Sequence, residues 1–334
     1  MQATSLPRLI GGAPVSAIGI GAMSFSDMYG ATTDAASLAI LDHAAAMGIT
    51  HIDTSNIYGM GRSETVIGRW LAANPAMRDR FHLATKGGIT SQPDGTRRFD
   101  NSPAHLETAL DASLARLGVD HVDLYYVHRR EADRPIEEVA ETLAGLVAKG
   151  KTRAIGFSEI APASLRRAQA IHPVAAVQSE YSLQTRFAEL GLVQSCAELG
   201  TALVAFSPVG RSLLTDRPLD AARVAALPFL AQNPRFMAPN LAANLAITAR
   251  FRALAAEMGV PAAGLAIAWL LTRGDHVIPI PGTRSVAHLD ELLAGTKLTL
   301  GAEDLSRIDA VLPVGWAHGD RYSAAQWVGP ERFC

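Results

Sequence analysis

From residue 18 onward the chain repeats one pattern eight times: a short β-branched or apolar run, then a longer segment with helical spacing. The runs at 18–20, 50–53, 82–86, 122–128, 152–157, 175–178, 202–206 and 277–280 read as strands. Their connections are long enough to carry helices, so the strands pair in parallel through βαβ crossovers. Eight such units over this length suit a closed (β/α)8 TIM barrel, one domain covering 1–334, better than an open doubly wound sheet.

The segment 103–117 shows how sharply the helices are written. Leu106, Leu110, Leu114 and Leu117 repeat at helical spacing, Ser102 suits the N-cap, Pro103 suits the first turn, and Gly118 is a stop. Before the first strand, 8–10 and 15–17 flank Gly11-Gly12-Ala13-Pro14, so 1–17 is expected to form a hairpin closing the barrel floor. Two stretches exceed ordinary connections. The segment 211–240, with Pro218, Pro228, Pro234 and Pro239, is expected as a loop over the active-site mouth. The tail 315–334 carries Trp316, Tyr322, Trp327 and Phe333, and either folds over the pocket or docks on an outer helix.

Thirty basic against 32 acidic residues leave a net charge of -2, which offers no broad field for nucleic acid or an anionic membrane. Small-molecule partners fit better, and nothing in the sequence specifies an oligomeric state. Cys196 and Cys334 alone support neither a disulfide framework nor a four-ligand zinc site, and Cys196 lies in a helical pattern as core. With Arg8 where a secretory h-region would begin and no membrane-length apolar run, a cytoplasmic location is expected.

Barrel chemistry sits at the C-terminal ends of strands, and strands two, three and four end at Asp53, Lys86 and His128. Tyr58 follows Asp53 by five positions, so the next loop can return its hydroxyl to the same mouth. A phenol with a pKa of about 10 holds its proton at neutral pH and can donate it to a developing alkoxide. A Lys86 ammonium beside it is expected to lower that pKa, with Asp53 keeping the lysine charged and oriented. His128 can hydrogen-bond and polarise a carbonyl oxygen. Such a site delivers a proton, and hydride must come from a cofactor.

Other motifs fail on spacing. Gly19-Ile20-Gly21-Ala22-Met23-Ser24 lacks the last glycine of a dinucleotide fingerprint, and is read as the end of the first strand at the barrel rim. Gly156-Phe157-Ser158-Glu159-Ile160 is not a nucleophile elbow. A metal-dependent barrel hydrolase would need a His-x-His pair or a carboxylate cluster at the strand ends; neither occurs, and no metal is expected.

Taken together, Ile52-Asp53-Thr54 with Tyr58-Gly59, Thr85-Lys86, 123–129, 155–159, 177–181, Phe206-Ser207-Pro208-Val209-Gly210-Arg211 and 280–284 make the chain resemble the aldo-keto reductase superfamily. The likeness is to its bacterial and fungal aldehyde reductase and pyridoxal reductase-like branch, over nearly the whole chain. It implies a catalytic tetrad of Asp53, Tyr58, Lys86 and His128. It also implies an NADPH site, with NADH less favoured, in which Ser158, Gln178 and Asp53 lie at the nicotinamide and Phe206 stacks on its ring. Gly21, Ala22 and Met23 would line the ribose, and Ser207, Pro208, Val209, Gly210 and Arg211 the pyrophosphate. Gly282, Thr283, Arg284, Ser285, His288 and Glu291 would meet the adenosine 2′-phosphate end. The resemblance departs at Leu292, where an asparagine is common, at Glu131-Ala132, and at Ser212, where a glycine is common.

The expected activity is NADPH-dependent reduction of an aldehyde or ketone with Tyr58 as general acid, reversible to alcohol oxidation. The same fold also occurs in cofactor-binding regulatory subunits with slow chemistry, and an intact tetrad is compatible with that alternative. Met23, Tyr29, Arg129 and Trp316 are the expected substrate-pocket residues.

Overall fold

The computed structural model describes residues 8–91, 96–332 and 334. Its strands are β1 (Arg8–Ile10), β2 (Ala13–Val15), β3 (Ile20–Gly21), β4 (His51–Asp53), β5 (His82–Gly87) and β6 (Ile89–Ser91). There follow β7 (Arg97–Phe99), β8 (Val122–Val127), β9 (Thr152–Ser158), β10 (Val174–Glu180), β11 (Ala202–Phe206) and β12 (Val277–Pro279). Eight of them form one parallel sheet in the order β3-β4-β5-β8-β9-β10-β11-β12. Gly19 N donates to Pro279 O (2.9 Å) and Gly21 N to Pro281 O (3.0 Å), which joins the first strand to the last and closes the ring. The fold is a (β/α)8 barrel.

Both faces of the barrel wall are covered, which is why strands such as β10 are buried at every residue. Inside, Ala84, Leu124, Tyr126, Ala176, Val204 and Ile278 pack with Ile10 and Val15 of the β1–β2 hairpin, which plugs the floor. Pairing of Ile10 with Ala13 confines the hairpin turn to Gly11-Gly12, so β2 begins two residues earlier than expected. Outside, the helix Pro103–Leu117 buries Leu106, Leu110 and Leu117 completely, each worth about 1.5–3 kcal/mol. Its termini are as read: Ser102 accepts from His105 N (3.4 Å), and Gly118 turns out of the helix at φ 66°.

Three segments surround the mouth, and the 211–240 stretch lies over it as expected. An antiparallel hairpin, β6–β7, projects beyond β5. The 211–240 stretch is a small helical unit rather than an irregular loop, with helices Ala221–Ala225 and Pro228–Ala231 over a separate apolar cluster that includes Leu213, Val224, Leu230 and Phe236. The tail divides its two expected roles. Trp316 Nε1 donates to Leu183 O (2.8 Å) and the ring packs in the outer core, whereas Tyr322 reaches the mouth. Phe333 and residues 1–7 lie outside the described residues. Among the described residues no single helix is long and apolar enough to cross a membrane, and no cluster of metal-ligating side chains occurs.

Candidate active site

Asp53 ends β4, Lys86 stands one residue before the end of β5, and His128 follows β8 directly. Neighbouring parallel strands thus bring a carboxylate, an ammonium and an imidazole to one end of the barrel. Lys86 Nζ donates to an Asp53 carboxylate oxygen and to Thr54 O (2.8 Å), and lies 3.4 Å from Tyr58 OH. Gln178 Nε2 holds the other Asp53 oxygen at 2.8 Å, so the carboxylate is fixed from both sides. Asp53 and Lys86 are fully buried, whereas Tyr58 is half-buried at the cleft.

Burial alone would lower the Lys86 pKa, but Asp53 and Tyr58 together raise it, and the ammonium persists. The Tyr58 pKa lies above the ordinary tyrosine value, because burial outweighs the opposing pull of Lys86. Lys86 pulls in the expected direction, and burial is the larger of the two effects. His128 is held well below its ordinary pKa by burial and then by Arg129, Lys86 and Arg97, so its ring is neutral. Its Nδ1 lies 3.1 Å from Ser55 Oγ, and its ring stands edge-on to Tyr58 with centroids 5.8 Å apart. A Ser55 proton given to Nδ1 places the imidazole proton on Nε2, the tautomer that donates into the cleft.

The cleft has a volume of about 1270 Å³ and runs from this cluster to the start of the helix Val286–Ala294. Gly21, Met23, Asp53, Ser158 and Gln178 border its inner part, with Phe206, Ser207, Pro208, Val209 and Arg211 along one side. Gly282, Thr283, Arg284, Ser285, His288 and Glu291 border its far end, with the buried Leu292. Tyr29 and Arg129 also line it.

Three expected residues do not. Ala22 is buried with its carbonyl accepting from Ser63 Oγ (2.8 Å). Gly210 backs onto the Gln184 amide, and Trp316 is held in the outer core. Arg211 borders the cleft, but its guanidinium is committed to Glu180 at 2.9 Å, and Glu291 is paired with Arg217 at 3.0 Å.

The far end has the makings of an anion site. The helix Val286–Ala294 has no side-chain cap on its first amides, and among the described residues Arg284 has no acidic partner, its Nη1 donating to Ala31 O (3.1 Å). Along the side wall Ser207 and Arg211 hold left-handed conformations at φ 51° and 52°, costly for residues with a Cβ and typical of ligand clamps.

The profile of the Aldo/keto reductase family matches residues 17–313. The chain belongs to the aldo/keto reductase family. Aldo-keto reductase yakc [NADP(+)] of Schizosaccharomyces pombe is 38% identical over 323 residues, covering 95% of each chain. Probable aldo-keto reductase 1 of Glycine max is 37% identical over 324 residues, 96% of this chain and 93% of the relative. The solved glycerol dehydrogenase AKR11B4 from Gluconobacter oxydans superposes with a TM-score of 0.81 at 27% identity, over 93% of this chain and 95% of that one. As a member of this family the protein is an oxidoreductase acting on carbonyl and alcohol groups.

The reductase has mouth residues that the sequence did not single out: Arg97 from β7, Phe229 from the helical unit and Gln326 from the tail. Tyr322 was visible only as one aromatic of the tail, yet its hydroxyl sits 3.4 Å from Arg129 Nη2. Beneath the rim lies a buried ionic network, in which Glu159 and Glu180 meet Arg211, Arg235 and Arg321. Burial would raise the Glu180 pKa, but these three guanidiniums hold it below the ordinary value. Charge at this depth is tolerated because each carboxylate faces arginine.

Proposed function

We propose that the protein reduces an aldehyde or ketone to an alcohol, with Tyr58 as general acid and NADPH as reductant. The observation that carries this reading is the approach of Tyr58 OH to the buried Lys86 ammonium at 3.4 Å, with Asp53 behind it. The residues present suit the cofactor: an uncapped helix start beside Arg284 for the 2′-phosphate, backbone at 207–211 for the pyrophosphate, and the Phe206 face at the cleft wall. Ser158 Oγ accepts from Arg129 Nη1 (3.0 Å) and keeps its own proton for a carboxamide oxygen. When bound, the dinucleotide supplies hydride to the carbonyl carbon.

The chain's residues manage the oxygen. His128 Nε2–H and Tyr58 OH take the carbonyl oxygen between them and polarise the C=O bond. As the carbon gains hydride, the oxygen takes the Tyr58 proton; Lys86 stabilises the phenolate left behind until solvent reprotonates it. Asp53 and Gln178 keep Lys86 in place. The reverse sequence oxidises an alcohol. The relative from Schizosaccharomyces pombe, named for NADP(+), supports the choice of dinucleotide. The reading takes small carbonyl compounds as substrates and the cytoplasm as the place of action.

The test is loss of reduced-nicotinamide absorbance with a panel of aldehydes, quinones, sugars, pyridoxal and cyclic ketones, for the wild type and Tyr58→Phe. Turnover by the wild type and its loss in the variant, with cofactor still bound, is the expected result. Equal turnover by both proteins would remove Tyr58 from the proton step.

A further inference from the structure

We propose that the substrate of this reductase carries an anionic group, a carboxylate or phosphate, which Arg129 and Arg97 bind beside the tetrad. The inference rests on the carbonyl-reductase reading and names the substrate class for it. Both arginines line the cleft on the side built from the ends of β5, β8 and β9. Arg129 is the residue after His128, and Arg97 opens the outer strand of the β6–β7 hairpin. In the closed ring these strands stand across the mouth from β11 and β12, whose following segments hold 206–211 and 282–288. The two cations are therefore remote from the walls that suit the phosphates of a dinucleotide.

Neither arginine has an acidic partner among the described residues, although the protein forms ion pairs widely. Arg129 is nevertheless held in place. Its Nη1 donates to His128 O (2.6 Å) and Ser158 Oγ (3.0 Å), and its Nη2 to Tyr322 OH (3.4 Å). That leaves Nε–H and one Nη2–H without a partner among the described residues, and a guanidinium grips two oxygens of an oxyanion through that edge.

Among the described residues Arg97 bonds only through Nη2, to Ala325 O and Val328 O of the tail, both at 3.3 Å. The tail also fixes the spacing. Gly329, at φ 103°, lies so close that a Cβ there would be 2.8 Å from Phe99 and 3.2 Å from the Arg129 Cβ. Hairpin strand, tail and Arg129 thus pack into one wall.

Two cations with no acidic partner among the described residues also carry an electrostatic signature. Arg129 and Arg97 both push the His128 pKa down, behind the larger effect of burial. Burial lowers the Arg97 pKa, and Arg129 lowers it further. An oxyanion between them relieves that repulsion, and a neutral carbonyl compound does not.

The experiment compares matched substrates at constant ionic strength. One pair is para-carboxybenzaldehyde with its methyl ester; the other is glyceraldehyde phosphate with glyceraldehyde. Variants are Arg129→Met, Arg129→Lys and Arg97→Met. We expect the wild type to favour the anionic member of at least one pair by about tenfold or more in kcat/KM, the size of a charge-assisted contact. Which pair responds distinguishes carboxylate from phosphate. Each methionine variant should lose at least about tenfold more activity toward the anion than toward its neutral partner, and Arg129→Lys should recover part of the preference.

A calorimetric titration with para-carboxybenzyl alcohol and its methyl ester reads the same preference without turnover. No preference in either pair, or an equal loss for charged and neutral members, overturns the inference while leaving the reductase intact. An equal fall in NADPH affinity in the methionine variants overturns it too, by assigning the cations to the dinucleotide. No turnover of any carbonyl defeats the reductase reading instead, and the titration then still decides whether the pocket holds an anion.

Discussion

Arg321, in the C-terminal tail, and Glu159, the residue after β9, form an ion pair with no solvent exposure, Nη1 to Oε2 at 2.8 Å. The next tail residue, Tyr322, faces the cleft, and Arg321 stacks 4.7 Å over its ring. The pair therefore places one wall of the mouth. Removing one partner of a buried pair leaves the other charge uncompensated, at a cost of about 3–5 kcal/mol. Arg321→Met should destabilise by roughly that amount. Adding Glu159→Gln should restore part of it, since no lone carboxylate then remains. Urea unfolding of the single and double variants measures this, and strictly additive losses would show that the two residues act independently.

Tyr58→Phe should lower kcat for carbonyl reduction by about 100-fold or more, the usual contribution of a positioned general acid. Cofactor affinity should change little, because the lost atom is a single hydroxyl. Fluorescence titration with NADPH, run beside steady-state kinetics, separates the two effects. A large fall in affinity with kcat preserved would recast Tyr58 as a binding residue.

The direction of the Tyr58 shift sets the pH profile. Reduction needs the protonated phenol, and burial holds its pKa above the ordinary value of about 10. Activity should stay level through neutral and mildly alkaline pH and fall only above about pH 10. Lys86 opposes the upward shift, so Lys86→Met should move that limb to still higher pH while lowering the rate. A limb that moves to lower pH in the variant is incompatible with a lysine stabilising the phenolate.

Much of this site was legible from sequence, because the determinants are local and repeated. Each of the eight barrel strands fell within a few residues of its expected place, and the ends of three of them placed Asp53, Lys86 and His128. What escaped is either too short to show a period or too distant along the chain. The hairpin strands Ile89–Ser91 and Arg97–Phe99 have three residues each, and the helices of the 211–240 unit have four or five, less than two turns. The bond from Trp316 to Leu183 spans 133 positions and that from Arg321 to Glu159 spans 162, so no pattern around either aromatic or cation announced which surface it would meet.

Three buried histidines predict acid sensitivity of the fold. Burial lowers the pKa of His51, of His82 to about 3, and of His128 to well below the ordinary value. His51 and His82 face each other through Nδ1 atoms 3.1 Å apart, a contact that two imidazolium rings could not keep. A histidine with a depressed folded-state pKa binds more protons unfolded than folded once the pH drops below about 6.5. Stability is then lost as pH falls, by about 1.4 kcal/mol per pH unit for each histidine until its folded-state pKa is reached. The three together set an upper slope of about 4 kcal/mol per pH unit. Urea midpoints between about pH 7.5 and about pH 5 should fall accordingly. A flat profile there would mean that these rings already ionise inside the fold.

The last prediction joins Arg284 to the loop facing it. Arg284 Nη1 donates to Ala31 O at 3.1 Å, and Gly30, at φ 102°, brings the backbone so close that a Cβ would lie 2.8 Å from the same nitrogen. If the guanidinium holds a 2′-phosphate, Arg284→Ala should weaken NADPH by about 10- to 100-fold and NADH far less, since NADH lacks the group that a charge-assisted bond would hold. Gly30→Ala acts on the same atoms by another route. Its backbone is strained with a side chain present, and its methyl group displaces the end of Arg284, which is flexible enough to yield. It should therefore weaken NADPH more than NADH, by a smaller factor than the loss of the cation itself. Equal weakening of both dinucleotides by Arg284→Ala would place the arginine elsewhere than at the phosphate. A normal NADPH preference in Gly30→Ala would show that the loop and the cation are not coupled.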